Sequence, residues 1–450
     1  MPPGFRPPPG WGRGLVAGGR EGLRAEDFQR ATIDGGLEAW VWRRRGFTNR
    51  HVVIATPFGA ADRSFSLDGR VVSVPDGTAH FLEHLVFQTE RGSALGTFSR
   101  LGVRANAFTS HTATAYYFSG TANFAAALRE LVGLVLTARF RPETVESERR
   151  VIAQEIRMYE DDPGTRVHQA LLEALYSSHP VRRRIAGTLE SLADISPATL
   201  ETCHEAFYHP SSLVLVAAGD LEPQRVFDLL SKEVTRLHPG RRAPKLGRLE
   251  PEEPPLPARH LARVDLPVKR PLFLVGFKDT PPPGADPWLL FRREMATNLL
   301  LEVLLGPASP LYDDLYRRGL VDETFSARYS TGPAFGHAVM GGATRDADEA
   351  AARVQEGIRR GRQKGISAKD LERKKRKARG QYVELADSLE GLATLFLLYR
   401  LKGVDLLGYP RLLEEVGLDE VDLVLQELFV PERTSVAVVA ADRTGGLPEV

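Results

Sequence analysis

The sequence predicts an α+β protein of two homologous domains that arose by internal duplication, each an antiparallel-rich sheet covered by helices. Two observations carry this prediction. The segments 207–220 and 429–442 share one pattern, in which a helix end, a proline turn and a continuous apolar strand follow one another. Between them, residues 239–260 are dense in proline and charge, which indicates an exposed linker. A repeat of about 220 residues fits two domains of one design better than a single large domain.

Four segments follow from these patterns. Residues 1–25 are rich in proline and glycine and lack the apolar core of a signal peptide, so we expect a mobile tail. Residues 26–238 form the N-terminal domain, residues 239–260 the linker, and residues 261–450 the homologous C-terminal domain. The length of 450 residues and the hydrophobic content of 42% suit domains with sizeable cores.

The N-terminal domain carries a helix, a strand pair and further helices in that order. A helix is predicted around residues 81–87, for which Asp76 and Thr78 offer N-cap oxygens. Small and aromatic residues alternate in 104–110 and 112–120, which predicts two strands joined by a tight turn.

The second half repeats this order. Residues 300–306, LLEVLLG, are the counterpart of FLEHLVF at 81–87, and a short helix and a pair of strands follow in both halves. This alignment places Leu299 and Val303 where the first half has two histidines.

Composition excludes several classes of function. The 59 basic and 58 acidic residues give a net charge of +1, so no global field attracts nucleic acid or an anionic membrane. The single cysteine, Cys203, excludes an intramolecular disulfide and a thiolate-cluster zinc site. No apolar run approaches the roughly 20 residues that a membrane-spanning helix needs. We expect a cytoplasmic protein that binds neither nucleic acid nor membrane.

The pentapeptide HFLEH at 80–84 is the first candidate for chemistry. In a helix, His80 and His84 lie on one face and can reach one ion, and Glu83 lies beside them. Two histidines do not complete a hydrolytic zinc site, which uses three protein ligands and an open position. Taken alone, the pair is equally compatible with packed or solvated histidines.

A third ligand is predicted in the helix at 142–162. Helical spacing places Glu148 and Glu155 on the same stripe as Val145, Ile152 and Ile156. Two carboxylates on an apolar stripe are costly unless a cation pairs with them. We therefore interpret Glu155 as a ligand and Glu148 as a carboxylate that supports a ligand from behind. The alternative is a partly exposed acidic face.

These motifs resemble the insulinase/pitrilysin family of zinc metallopeptidases, whose inverted motif is HxxEH. The resemblance includes GTAHFLEHLVF, ANAFTSHTATAYYFSG and ERRVIAQEIRMYEDDP, and is strongest to bacterial members similar to mitochondrial processing peptidase. The residues that it implies are His80, His84 and Glu155 as ligands of one Zn²⁺ per chain, Glu83 as general base, Glu148 as the further acidic residue, and Asn106 and Ala107 on the strand that receives the substrate backbone.

The resemblance implies a zinc-dependent endopeptidase that hydrolyses peptides or unfolded segments in an enclosed chamber, with Glu83 activating a zinc-bound water. Related enzymes enclose the chamber with two such two-domain units, so a homodimer or a heterodimer with a related subunit is implied. Arg328 and Tyr329 do not clearly match the family's substrate-holding Arg and Tyr, which a partner would then supply. The alternative is a non-catalytic structural or peptide-binding subunit of a related heterodimer.

Overall fold

A computed structural model describes residues 27–89, 92–238, 240, 242–281 and 284–441. The tail predicted at 1–25 lies outside the described residues. The chain forms two compact units. Unit 1 comprises the described residues up to Ile156 with Arg184–Leu249 and Gln381–Gly408. Unit 2 comprises Arg157–Arg183, Glu250–Gly380 and the described residues from Tyr409 onward.

Runs of strands and runs of helices follow one another along the chain, and most strand pairs are antiparallel, which confirms the predicted α+β class. The strands are β1 Phe28–Thr32, β2 Glu38–Arg43, β3 Arg50–Thr56, β4 Ser64–Leu67, β5 Arg70–Ser73, β6 Gln88–Thr89, β7 Gly92–Ser93, β8 Val103–Thr109, β9 Thr114–Gly120, β10 Val214–Gly219, β11 Leu246–Arg248, β12 Leu261–Asp265, β13 Leu272–Asp279, β14 Ser326–Gly332, β15 Phe335–Ala343 and β16 Thr434–Ala440.

The helices begin mostly at a proline or after a capping side chain, as expected for N-termini that need their free N–H groups satisfied. The helices are α1 Thr78–Val86, α2 Leu95–Arg100, α3 Phe124–Thr137, α4 Pro142–Asp161, α5 Pro163–Leu175, α6 Leu189–Ala193, α7 Pro197–Phe207, α8 Pro223–Leu237, α9 Pro287–Leu305, α10 Pro310–Arg317, α11 Ala347–Lys364, α12 Ala368–Leu385, α13 Leu389–Leu401, α14 Tyr409–Glu415 and α15 Leu418–Leu428. No described helix combines the length and the apolar character that crossing a bilayer requires.

The main sheets of the two units share an order of five strands, to which unit 1 adds β1. Unit 1 has the order β1-β2-β10-β3-β9-β8, and unit 2 has the order β12-β16-β13-β15-β14. Each sheet contains one parallel pair, formed by the last strand of that half of the chain and the first of the five shared strands. The pair is β10 with β2 in unit 1 and β16 with β12 in unit 2. The other pairings within both sheets are antiparallel. The shared strand order supports the duplication that the sequence suggested.

Each unit contains one helix from the other half of the chain. Helix α5, from the first half, packs in unit 2, where Leu171 and Leu175 are fully buried in one cluster with Ala437 and Val439. Gly276 on β13 permits this packing, because a Cβ there would lie 3.0 Å from the Leu171 side chain. The predicted boundaries 26–238 and 261–450 thus follow the repeat, whereas compactness divides the chain differently.

Helix α13, from the second half, belongs in turn to unit 1. Its Phe396 ring stacks on Phe28 at 4.9 Å and meets Trp40 edge-on at 5.0 Å. Its Arg400 donates a hydrogen bond to Glu38 at 3.0 Å. These contacts cover the face of the unit 1 sheet near β1 and β2.

Some described residues of the segment predicted as an exposed linker, 239–260, make specific contacts within one or the other unit. Leu246–Arg248 forms β11, which pairs with β4 in unit 1. In unit 2, the Glu253 side chain is 3% exposed and pairs with Lys278. It also accepts hydrogen bonds from the backbone N–H groups of three consecutive residues, Ser177, Ser178 and His179.

Candidate functional site

Helix α1 carries HFLEH and begins at a glycine that its position requires. Gly77 has φ +89°, and a Cβ there would lie 2.5 Å from the carbonyl oxygen of Ala186. The predicted N-cap oxygens are not used. Thr78 donates to the carbonyl of Pro75 at 2.8 Å, and the Asp76 carboxylate pairs with Arg63 at 2.6 Å. A close backbone crossing therefore fixes the start of this helix, where a capping side chain was expected.

Helix α4 runs beside it and confirms the predicted helix at 142–162. Val145, Ile152 and Ile156 are buried, and Glu148 is 8% exposed on the same stripe. Arg149 joins α4 to neighbouring segments. Its guanidinium lies 5.6 Å from the Phe81 ring centroid and donates to the Ile195 carbonyl at 2.8 Å.

The two helices bring together the three side chains predicted as metal ligands. One ligand atom from each of His80, His84 and Glu155 lies within 4.8 Å of the others, and no other such group of three occurs in the part of the chain that the structure describes. Glu155 Oε2 is 3.3 Å from His84 Nε2, and Glu155 Oε1 is 3.7 Å from His80 Nε2.

This geometry fits zinc. Tetrahedral zinc bonds of about 2.1 Å place two ligand atoms about 3.4 Å apart, and the observed separations of 3.3 and 3.7 Å bracket that spacing. Two imidazole nitrogens and one carboxylate oxygen are also a usual donor set for catalytic zinc.

A carboxylate behind His84 fixes the orientation of its ring. Glu148 Oε1 lies 2.9 Å from His84 Nδ1, so Nδ1 donates to this carboxylate and Nε2 is directed towards Glu155, where it can bind a metal once its own proton is lost. Gln88 Nε2 donates to the other oxygen of Glu148 at 3.0 Å. Glu148 therefore occupies the supporting place that the sequence suggested.

The charges of the site favour a bound cation. Burial opposes a charge on His84, but its hydrogen bonds to Glu148 and Glu155 raise its pKa to about 10. Burial and the neighbouring His84 lower the pKa of His80 to about 4. The carboxylates thus hold one positive charge between the two helices even in the metal-free arrangement, and a divalent cation can replace that proton.

Glu83 lies beside the three ligands and is held by a residue that sequence reasoning missed. Thr109 Oγ1 donates to Glu83 Oε2 at 2.5 Å, which leaves the other carboxylate oxygen available. Burial raises the pKa of Glu83 to about 7, against the lowering effect of this hydrogen bond. Alternation along β8 places Ala107 and Thr109 on one face, so the strand pattern could have identified Thr109 once Ala107 was a candidate.

Asn106 and Ala107 lie on β8, which is the last strand of the unit 1 sheet. Ser110 N–H donates to the Ala113 carbonyl, and alternation from this pair directs the backbone groups of Ala107 away from β9. The Asn106 side-chain oxygen accepts the Ala107 N–H at 2.8 Å. The open edge therefore begins next to Thr109 and the Glu83 carboxylate.

Two further groups of residues belong to unit 2. Tyr329 is buried and donates to Asp279 at 2.7 Å, so its hydroxyl already has a partner. The basic run 373–379 contacts acidic residues, as Lys374 and Lys377 both bond Glu302 and Arg379 bonds Glu414. It is thus largely a paired surface of α12.

Comparison with known proteins assigns the chain to a family. Residues 74–189, which include every predicted site residue, match the model of insulinase, peptidase family M16, and residues 194–378 match the peptidase M16 inactive domain. The uncharacterized zinc protease YmfH of Bacillus subtilis is 35% identical over 92% of this chain and 96% of its own length. The chain belongs to the insulinase family, peptidase family M16.

Solved structures agree with this assignment. The chain resembles a putative M16-like peptidase from Alicyclobacillus acidocaldarius with a TM-score of 0.89 and 33% identity, over 94% of this chain and 100% of that one. Pitrilysin shares the fold at a TM-score of 0.72 and 17% identity, and the match covers 92% of this insulinase-family chain but 45% of pitrilysin. The insulinase/pitrilysin resemblance stated from the motifs is confirmed, and relatives named zinc proteases support a peptidase.

Proposed function

We propose that this chain is a zinc-dependent endopeptidase that hydrolyses peptides or unfolded segments. One observation carries the proposal. The ligand atoms of His80, His84 and Glu155 converge within 4.8 Å, and Glu83 projects from the same helix, one residue before His84. The family membership and the zinc-protease names of relatives support the same reaction.

The roles of the residues follow from their chemistry. Zinc held by His80, His84 and Glu155 would supply a Lewis acid that acidifies water and polarises the scissile carbonyl. The oxygen of the attacking water bonds to the carbonyl carbon while Glu83 accepts a proton from that water. Glu83 then delivers the proton to the departing amine nitrogen as the C–N bond breaks. Thr109 holds one oxygen of Glu83 during both transfers.

The substrate backbone would bind along β8. An extended peptide that adds to an open sheet edge satisfies its own N–H and C=O groups through the outward groups of the edge strand. Ala107 presents such groups, and Asn106 covers the Ala107 N–H with its exposed side chain until a substrate carbonyl replaces it. Such binding recognises the extended backbone of the substrate, which suits unfolded segments.

We also propose that two copies of this chain, or this chain and a related subunit, enclose the reaction chamber. Pitrilysin is aligned over 45% of its length, so a single chain there contains roughly twice the matched region. Light scattering of the purified protein tests this assembly. A strictly monomeric protein with full peptidase activity would contradict it.

The proposed activity is tested by metal analysis and peptide cleavage on the same preparations. We expect about one zinc per chain, loss of zinc in Glu155→Ala, and loss of cleavage with retained zinc in Glu83→Gln. Glu143→Ala, on an exposed position of α4, is the matched control and is expected to keep both properties. Zinc binding without any cleavage by the wild-type chain would favour the alternative, a non-catalytic subunit.

A further inference from the structure

The support behind the two histidines is unequal. His84 Nδ1 has a carboxylate partner, Glu148, at 2.9 Å. His80 Nδ1 is buried and has no hydrogen-bond partner among the residues that the structure describes. The orientation of the histidine pair therefore depends on the His84 side, because only that ring is held by a hydrogen bond from behind.

Glu148 can hold His84 only if its own carboxylate is fixed. A carboxylate with a single donor can rotate and exchange its partner for water, and Glu148 is nearly buried at 8% exposure. The second oxygen, Oε2, accepts from Gln88 Nε2 at 3.0 Å. With both oxygens engaged, the carboxylate plane is fixed, and Oε1 remains on His84 Nδ1.

Gln88 is itself placed by the backbone on both sides. Helix α1 ends at Val86, two residues before it, and the main chain of Gln88 belongs to β6, where it pairs with Ser93 of β7. From this position its side chain reaches Glu148, the carboxylate that also bonds His84 of α1. A glutamine donates from its amide nitrogen without adding charge, so the nearby cation site keeps the full charge of Glu148.

We propose that Gln88 is a positioning residue of the metal centre, acting through Glu148 to keep the His84 ring aligned for zinc. This assignment rests on the proposed zinc site. Residues that orient a metal ligand from behind typically change metal affinity by about 10- to 100-fold when they are lost. Gln88 contacts the ligand His84 only through Glu148, one hydrogen bond further from the metal, so the lower end of that range is expected.

The test measures zinc affinity by competition with a chelating dye and compares three substitutions. Gln88→Met keeps the length but removes the donor, and its zinc Kd should rise by roughly 10-fold. Gln88→Lys restores a donor to Glu148 but brings a positive charge towards the cation site, so its Kd should lie between those of wild type and Gln88→Met. Gln88→Glu opposes Glu148 with a like charge and should weaken zinc at least as much as methionine.

A matched control separates positioning from general destabilisation. Gln169 Nε2 donates to Glu173 Oε1 at 2.8 Å and is also partly buried, but it lies on α5 in unit 2. Gln169→Met should leave the zinc Kd unchanged. Cobalt-substituted protein gives a readout of ligand geometry, and its visible absorption should shift in Gln88→Met and remain as in wild type in Gln169→Met.

The outcomes distinguish two failures. A wild-type chain that binds no zinc overturns the proposed function and the role of Gln88 with it. Tight zinc binding by wild type with an unchanged Kd and cobalt spectrum in Gln88→Met overturns only the role of Gln88. Equal losses in the methionine and lysine variants, or in Gln169→Met, also overturn it, because a donor to Glu148 would then not be the cause.

Discussion

Replacing Glu253 by alanine should destabilise unit 2 strongly, although the residue lies in a segment whose composition indicated a linker. The Lys278 side chain is 0% exposed and that of Glu253 is 3% exposed, so the change leaves a buried ammonium group without its partner. Removing one partner of a buried ion pair costs about 3–5 kcal/mol. Three backbone N–H groups, bonded to Glu253 at 2.6–2.9 Å, also lose their acceptor.

The lysine can limit this cost by losing its proton. Burial already lowers the pKa of Lys278, and neutralising an ordinary lysine at pH 7 costs about 4.6 kcal/mol. The part of the destabilisation that comes from the lysine charge should therefore not exceed about 5 kcal/mol at pH 7. Because a neutral amine becomes easier to form as pH rises towards the unfolded pKa of about 10.4, the loss should shrink between pH 7 and pH 9.

Urea-induced unfolding followed by circular dichroism measures the effect. Glu252→Ala, at the exposed neighbouring position, is the control and should change the free energy of unfolding by less than about 0.5 kcal/mol. The double variant Glu253→Gln with Lys278→Met should recover part of the loss, since no buried charge then lacks a partner. Equal stability of Glu253→Ala and Glu252→Ala, or a loss that does not depend on pH, would refute the reasoning.

Three further predictions follow from other contacts. Thr109→Val should lower kcat by roughly 10- to 100-fold, as expected for a lost hydrogen bond to a charged group, with unchanged zinc affinity and KM, and Thr109→Ser should restore most of it. Comparable rates in the valine variant and wild type would contradict this. Burial lowers the pKa of His204 to about 4, so the unfolded chain takes up a proton first as pH falls below about 6.5 and stability falls by up to about 3 kcal/mol by pH 4. His204→Gln should remove that part of the pH dependence of urea unfolding, and an unaltered profile would count against it. Leu171→Ala should destabilise unit 2 by about 2–5 kcal/mol, because the Leu171 side chain is fully buried there, and a loss below about 1 kcal/mol would be incompatible with that packing.

Periodicity predicted the parts of the fold that depend on local pattern. The apolar stripe of α4 predicted both the helix and the burial of Glu148, and the four-residue spacing of His80 and His84 predicted their common face. The glycine start of α1 was missed because it depends on the backbone near Ala186, which is distant in sequence. A pattern read along one segment does not show what that segment will meet.

The exchange of α5 and α13 between the units was unpredictable for the same reason. An amphipathic helix shows which of its faces is apolar, but either sheet of a duplicated protein offers a similar apolar surface to cover it. Specific contacts decide the choice, such as Gly276 beneath Leu171 in unit 2 and the rings of Phe28 and Trp40 around Phe396 in unit 1.

The C-terminal repeat differs from the zinc-site repeat in more than the two missing histidines. Leu299 and Val303 replace the histidines in the aligned segment, and Glu302 stands at the position of Glu83. The Glu302 carboxylate accepts hydrogen bonds from Lys374 and Lys377 at 3.2 and 2.8 Å, which lower its pKa against the effect of burial. A carboxylate held between two ammonium groups is a poor proton acceptor, so this glutamate serves the packing of α12 against α9.

The edge strand of the second copy is also closed. In the hairpin of β14 and β15, Tyr329 occupies the place of Ala107, and its outward N–H donates to Asn298 of α9 at 3.1 Å. In unit 1 the corresponding N–H bonds the neighbouring Asn106 side chain, which is exposed and also hydrogen-bonds Tyr117, so two hydrogen bonds of about 1 kcal/mol each hold it in place. Opening β14 would require moving a side chain fixed on a helix. Of these two edge strands, β8 is therefore the one that an extended peptide can pair with, and it lies next to the Glu83 carboxylate.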